Sequence, residues 1–187
     1  MRRSLLLISL TFFAGFAKVC LAKKENQAVN GLLNVGAGQF KPNGGHPVPI
    51  DLSGFPKGAL NVIQELDGTV VDVGTIDGRV MSILEWRPIG RRGEFSQFSI
   101  TPERVVAHTK MIEDHGQFFI DVPGKSGFFR LRLNGQTLSH DDIPAFVSSN
   151  NVRVEGTLSD DGSSIDLIQL TNRTSGQSIC EKDLTQS

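Results

Sequence analysis

Apolar and polar residues alternate along much of the chain, in the pattern of β-strands that have one buried face. The clearest predicted strands are residues 116–124 and 127–135. In the second strand, apolar residues alternate with arginines: Phe129, Arg130, Leu131, Arg132 and Leu133. Because successive side chains of a strand point to opposite faces of the sheet, the apolar residues are predicted to be buried and the arginines to lie on an exposed face.

Two Asp-Gly pairs separate runs that are rich in β-branched residues. The pair Asp77-Gly78 lies between two such runs, and the pair Asp161-Gly162 interrupts residues 152–170. The favoured two-residue hairpin turn requires positive φ at its central positions, which Asp and Gly tolerate. The sequence therefore predicts a β-hairpin at each pair.

Two segments carry features of both strand and helix. Residues 101–112 begin like a helix, but their alternation and their β-branched residues favour a strand. Residues 139–149 favour a helix, because Ser139 can cap it and Pro144 falls in its first turn. The apolar residues on one face of this helix are Ile143, Phe146 and Val147.

The pattern divides the chain into four parts. Residues 1–22 are predicted to be a signal peptide, and residues 23–58, rich in Gly and Pro, an extended arm with an edge strand near 48–52. Residues 59–170 are predicted to form the β domain, and residues 171–187 a polar tail. The predicted fold class is therefore all-β, either a small barrel with one short helix or a β-sandwich.

The signal peptide is predicted from its three regions. Arg2 and Arg3 precede an apolar core at residues 5–16, which is too short to span a membrane. Cleavage after Ala22 fits the preference for small residues, and a cut after Ala17 is compatible with it too. The sequence therefore predicts a secreted or periplasmic protein that has no transmembrane span after cleavage.

Charge and cysteine content exclude some classes of protein. The chain has 19 basic and 20 acidic residues, and cleavage after Ala22 would leave 16 basic and 20 acidic ones, a net charge of −4. This balance argues against nonspecific binding of nucleic acid, which needs a basic surface. Cys20 and Cys180 are the only cysteines, so they can pair only if cleavage leaves Cys20 in the chain.

The order of predicted elements over residues 116–170 resembles the second half of an OB-fold barrel. In that fold a helix lies between the third and fourth strands, where this chain has residues 141–149. The fourth strand often reads apolar-x-apolar-x-Gly, and this chain reads Val152-Arg153-Val154-Glu155-Gly156. The resemblance implies a five-stranded barrel and covers about half of the mature chain.

A competing resemblance is to the transthyretin-like β-sandwiches, whose strands often read T-x-x-D-G-x-F-x-I-x-V-P-x-G. The positions that match this pattern are Thr109, Gly116, Phe118, Ile120, Val122 and Pro123. His115 separates Asp114 from Gly116, so the match is interrupted. This alternative implies two packed sheets, and neither fold by itself implies a function.

The predicted ligand-binding residues are arginines and the only tryptophan of the chain. Trp and Arg are enriched at binding hot spots, and Arg can pair with a carboxylate or a phosphate. The predicted residues are Trp86, Arg87, Arg91 and Arg92 in one loop, together with Arg130 and Arg132. The expected partner is a protein or an anionic oligomer.

Motifs for catalysis and for metal binding are weak. The chain has no GxSxG, HExxH or P-loop motif, and we predict no catalytic residue, no metal ligand and no cofactor. The sequon Asn172-Arg173-Thr174 would matter only in a eukaryotic secretory pathway. The predicted function is a non-catalytic binding module. The alternatives are a subunit of a cell-envelope or secretion assembly, and a small metal-dependent hydrolase built on His108, His115 and His140.

Overall fold

The computed structural model describes residues 28–76, 79–86 and 97–180. The described strands are β1 (Ala28–Asn34), β2 (Gln39–Pro42), β3 (Val48–Pro49), β4 (Val70–Ile76), β5 (Arg79–Trp86), β6 (Gln97–Ile100), β7 (Val105–Thr109), β8 (Ile112–Asp114), β9 (Gln117–Gly124), β10 (Gly127–Asn134), β11 (Val152–Leu158), β12 (Ser164–Asn172) and β13 (Ser178–Cys180). The helices are α1 (Lys57–Glu65), α2 (Ile143–Ser148) and the short 3₁₀ helix η1 (Gln136–Ser139).

A continuous series of pairings connects the strands in the order β3-β2-β1-β4-β5-β6-β7-β11-β12-β10-β9-β8, and β13 pairs with β12. The pairs are antiparallel except for β10 and β12, which run parallel. The predicted all-β fold class is confirmed. None of the described helices is long and apolar enough to cross a membrane.

Both predicted hairpins are present. The strands β4 and β5 pair antiparallel around Asp77-Gly78, whose own residues lie outside the described ones. The strands β11 and β12 pair antiparallel around Asp161-Gly162. Gly162 has φ of 74°, a left-handed conformation that glycine adopts without steric cost. Asp161 stabilises the connection at residues 159–163 by accepting hydrogen bonds from the hydroxyls of Ser159 and Ser163.

Within the segment 101–112, residues 105–109 form a strand, as predicted from the alternation. Its strand β7 pairs with β11, and only Lys110 and Met111 separate it from β8, which pairs with β9. Met111 is fully buried at this junction. The pairing partner of the chain therefore changes from β11 at β7 to β9 at β8, while the side chain of Met111 stays in the core.

The predicted helix at 139–149 is shorter than expected. α2 begins after Asp142, Pro144 lies in its first turn, and Ile143 and Phe146 are buried as the apolar spacing indicated. Ser139 does not cap it, since Ser139 is the last residue of η1.

The sequence prediction missed helix α1. Its buried side chains are spaced i, i+3, i+4 and i+7: Ala59, Val62, Ile63 and Leu66. The Nδ2 of Asn61 donates to the carbonyl of Asp161 at 2.9 Å, and the N–H of Lys125 donates to the carbonyl of Glu65 at 2.7 Å. The helix therefore connects the β11–β12 turn to the β9–β10 turn.

The region predicted as an extended arm contributes three strands to the sheet from residue 28 on. β1 pairs with both β2 and β4, and Leu33 and Phe40 are fully buried. β3 pairs only with β2, which agrees with the predicted edge strand near residues 48–52. The apolar residues of this region are therefore part of the same core as those of the β domain.

Candidate functional site

The loop with the most predicted ligand-binding residues lies largely outside the described structure. The backbone of Trp86 ends β5, where it pairs with Val71. The side chain of Trp86 and all of Arg87, Arg91 and Arg92 lie outside the described residues. Their role in binding stays a prediction.

Arg130 and Arg132 lie on the exposed face of β9 and β10, as the alternation predicted. Their neighbours Leu131 and Leu133 are buried. Arg130 Nε donates to Oδ1 of Asp121, directly opposite on β9, at 2.8 Å. This hydrogen bond and the charge of Asp121 raise the pKa of Arg130.

The rest of this surface, which we call the β9–β10 face, combines aromatic residues with charges of both signs. The guanidinium of Arg130 lies over the ring of Phe119, 5.4 Å from its centroid. Arg132 pairs across the strands with Phe119, and Phe128, which is 52% exposed, pairs with Pro123. Asp121 and Asp114 both form ion pairs with Arg130, so two carboxylates offset the two arginines of this face, which has little excess positive charge.

A second group of charged residues lies on the outer surface of β7, β11 and β12. We call it the arginine cluster, and its members are Arg104, His108, Arg153, Glu155 and Arg173. Arg104 Nη1 donates to Oε1 of Glu155 at 2.6 Å, and Arg153 Nη2 lies 2.5 Å from Oε2 in an ion pair. Each carboxylate oxygen therefore has its own guanidinium partner.

The carboxylate of Glu155 is buried and the arginines are not. The Glu155 side chain is 11% exposed, while those of Arg104 and Arg153 are 55% and 30% exposed. A buried carboxylate is costly unless charged hydrogen-bond donors satisfy it, and two arginines do so here. Since the cluster contains three arginines and one carboxylate, its net charge is about +2 when His108 is neutral.

His108 connects the third arginine to the cluster. It pairs across the strands with Arg153, and its Nδ1 lies 3.4 Å from Nη1 of Arg173. Burial lowers the pKa of His108, and the charges of Arg173 and Arg153 lower it further. His108 is therefore mostly neutral at pH 7, and its Nδ1 can accept the hydrogen bond from Arg173.

Polar side chains of β12 and β13 continue this surface. Thr171 pairs across the strands with Arg153 on one side and with Ser178 on the other. The Thr171 and Ser178 hydroxyls lie 3.1 Å apart, and Nε2 of Gln169 donates to Oγ of Ser178 at 2.6 Å. The arginine cluster is thus bordered by neutral hydrogen-bonding groups.

The sequence analysis did not assign the arginine cluster. The three arginines, Arg104, Arg153 and Arg173, are far apart in the sequence. They come together only because β7 pairs with β11 and β11 pairs with β12. One signal was available within the strand. Arg153 and Glu155 are two residues apart, so in a strand they share a face.

The three histidines of the hydrolase alternative lie on different elements. His108 is in β7, His115 in the β8–β9 turn and His140 just after η1. Within the described residues, no three His, Cys, Asp or Glu side chains form a group that could hold a metal ion.

The Asn172 side chain of the sequon is buried, and it is 5% exposed. Its Nδ2 donates to the carbonyl of Ala145 at 3.1 Å, and its Oδ1 accepts from the N–H groups of Thr174 and Ser175. In the folded chain this asparagine links α2 to the β12–β13 turn. The nitrogen to which a glycan would be attached is occupied by that contact.

Comparison of the chain with protein-family models, with curated proteins and with solved structures finds no match.

Proposed function

We propose that this protein is a non-catalytic module of a secreted or periplasmic compartment, and that it binds an anionic oligomeric ligand through the arginine cluster. The observation that carries the proposal is a buried carboxylate that holds two arginines, Arg104 and Arg153, on an exposed strand surface, with a third arginine beside His108. Arg binds carboxylate, sulfate and phosphate groups through several directed N–H donors.

Glu155 supports this role because it holds two of the arginines in place. Arg104 donates one hydrogen bond to Glu155 and Arg153 forms an ion pair with it, while each guanidinium has five N–H donors in all. Both side chains are partly exposed, so donors remain for a ligand. An arginine that is already oriented loses less conformational entropy when it binds.

The spread of the charges supports an oligomer rather than a single small anion. Arg104 precedes Val105, which pairs with Gly156, and the N–H of Arg173 donates to the carbonyl of Asn151. Asn151 and Gly156 are five positions apart along the chain, which corresponds to about 17 Å of strand. A ligand with repeated negative groups would contact arginines along this length.

The proposal includes an OB-like arrangement of the second half of the chain. The support is that β7 and β8 are nearly continuous and pair with β11 and β9, while β10 runs parallel to β12. The helix α2 lies between β10 and β11, where the OB fold has its helix.

A binding experiment with two matched double variants tests the proposal. The probes are a fluorescent heparin-derived octasaccharide and linear polyphosphate, and the readout is fluorescence anisotropy at about 50 and about 200 mM NaCl. We expect the wild type to bind at least one probe, with an affinity that falls as salt rises. Arg104→Ala/Arg173→Ala should weaken this binding by at least about tenfold, since each charged contact contributes about 1.5 kcal/mol or more.

The matched control is Arg130→Ala/Arg132→Ala, which removes the same charge from the β9–β10 face. We expect this variant to bind like the wild type. Equal loss in both variants would show that net charge alone drives binding, and selective loss in the control would move the site to the β9–β10 face. Absence of binding to both probes would contradict the proposed function.

A protein partner at the β9–β10 face is a second candidate function. The observation that favours it is Phe128, which is 52% exposed and lies beside an Arg–Asp pair and a second aromatic ring. Aromatic residues and arginine are enriched in protein interfaces. Crosslinking in an extract of the native compartment, compared between wild type and Phe128→Ser, would test it. Capture of the same partners by both proteins would contradict this candidate.

A further inference from the structure

His108 is the only titratable group of the arginine cluster whose charge can change between pH 5 and 8. It lies on β7 between two sources of positive charge, Arg153 on β11 and Arg173 after β12. Glu155 is two residues further along β11, and β6 contributes the uncharged residues Gln97 and Ser99. Arg104 directly precedes the strand of His108 and Lys110 directly follows it, and both add positive charge.

We propose that anion binding to the arginine cluster is coupled to protonation of His108, so that the protein holds its ligand more tightly as the pH falls. This inference rests on the proposed function and adds its regulation. The ligand class is an oligomer that carries sulfate, phosphate or carboxylate groups.

Repulsion in the ligand-free protein is the first reason for the coupling. Arg173 and Arg153 disfavour a charged His108 and, together with burial, lower its pKa. An anion bound between these arginines offsets their repulsion and favours the charged imidazole. The pKa of His108 is therefore higher in the complex than in the free protein, and between the two values binding takes up a proton.

The hydrogen bond between Arg173 and His108 is the second reason. Neutral His108, in the tautomer that carries its proton on Nε2, accepts a hydrogen bond from Arg173 Nη1 at its Nδ1. Protonation converts Nδ1 into a donor, so it can no longer accept from a guanidinium. Arg173 is then released toward the ligand, and Nδ1–H becomes an additional donor for the same anion.

Linkage makes the effect reciprocal. If the anion raises the affinity of His108 for a proton, the proton raises the affinity of the cluster for the anion by the same factor. Uptake of one proton gives at most about a tenfold gain in affinity for each pH unit. The affinity depends on pH only between the pKa of His108 in the free protein and its pKa in the complex. Below the first value it rises no further, and above the second it stays at its lower level.

Calorimetry with a sulfated ligand tests this inference, because sulfate groups do not titrate in the relevant range. The heparin-derived octasaccharide is titrated into the full chain between about pH 5 and about pH 8, in two buffers of different ionisation enthalpy. We expect tighter binding at lower pH and a buffer-dependent heat that shows proton uptake. NMR of the His108 Cε1–H, assigned with His108→Gln, should show a higher pKa in the complex.

Two variants separate His108 from the other titratable groups. His108→Gln should still bind the octasaccharide and should lose the pH dependence and the proton uptake. His115→Gln removes a fully exposed histidine of the β8–β9 turn, and it should behave like the wild type. Binding without proton uptake, or uptake that persists in His108→Gln, would overturn the coupling and leave the proposed function standing. Absence of binding at every pH would overturn both.

Discussion

The arginine cluster and the β9–β10 face use the same residue types in different ways. On the β9–β10 face, Arg130 lies 2.8 Å from Asp121 and 3.7 Å from Asp114, and all three side chains are substantially exposed, 45% for Arg130, 33% for Asp121 and 49% for Asp114. In the arginine cluster, two arginines share Glu155, which is 11% exposed. Water can replace the first interaction, but it has little access to the carboxylate in the second.

This difference has a consequence for function. On the β9–β10 face, Asp121 and Asp114 offset the charges of the two arginines and leave little field for an anionic ligand. A shared buried carboxylate holds two guanidiniums in place and leaves a net positive charge beside Arg173. The face with the obvious arginine alternation in the sequence is therefore electrostatically the weaker candidate for anion binding.

The largest expected effect comes from removing both partners of Glu155. Arg104→Met/Arg153→Met leaves a buried carboxylate without a charged donor, and we expect it to lower the free energy of unfolding by about 3 kcal/mol at pH 7. The measurement is urea unfolding followed by circular dichroism. Adding Glu155→Gln to this variant should restore part of the stability, because the uncompensated charge is gone. No recovery would mean that lost packing, rather than charge, causes the defect.

A smaller effect is expected on the β9–β10 face. Arg130→Met removes exposed ion pairs, so we expect a much smaller loss of unfolding free energy than in the cluster variant, and a smaller one still at high salt. The same urea experiment at low and high NaCl measures it. A loss as large as that of the cluster variant would break the distinction between the two surfaces.

The smallest effect is expected from His108, and it depends on pH. Because the folded chain holds His108 with a lowered pKa, the unfolded chain binds the proton more tightly. Folding is therefore favoured above the unfolded-state pKa near 6.5, and this contribution is lost as the pH falls below it. We expect His108→Gln to flatten the decline of Tm between about pH 6.5 and about pH 5, relative to the wild type. An unchanged slope would show that other groups cause the decline.

The sequence was informative wherever a local pattern coincided with burial. Alternation identified β9 and β10, and it correctly favoured a strand at β7. The Asp-Gly pairs marked both hairpins, since their turns need only local backbone freedom. The apolar spacing of α1 was present as well, but the glycines and prolines before it obscured its start.

Other features required the folded chain. Residues 28–50 belong to the sheet because Leu33 and Phe40 find a core built by distant strands, which no local pattern encodes. The same holds for Asn172, the first residue of the sequon, whose side chain is buried and donates to a carbonyl of α2.

The sequence by itself determined the all-β class, the positions of two hairpins and the exposed alternation of Arg130 and Arg132. These follow from backbone preferences and from the period of two in a strand. Only the tertiary structure decided that Arg104, Arg153 and Arg173 meet around Glu155 and His108. The physical reason is that strand pairing joins residues that are up to 69 positions apart, and neither their burial nor their mutual electrostatics exists before those strands pair.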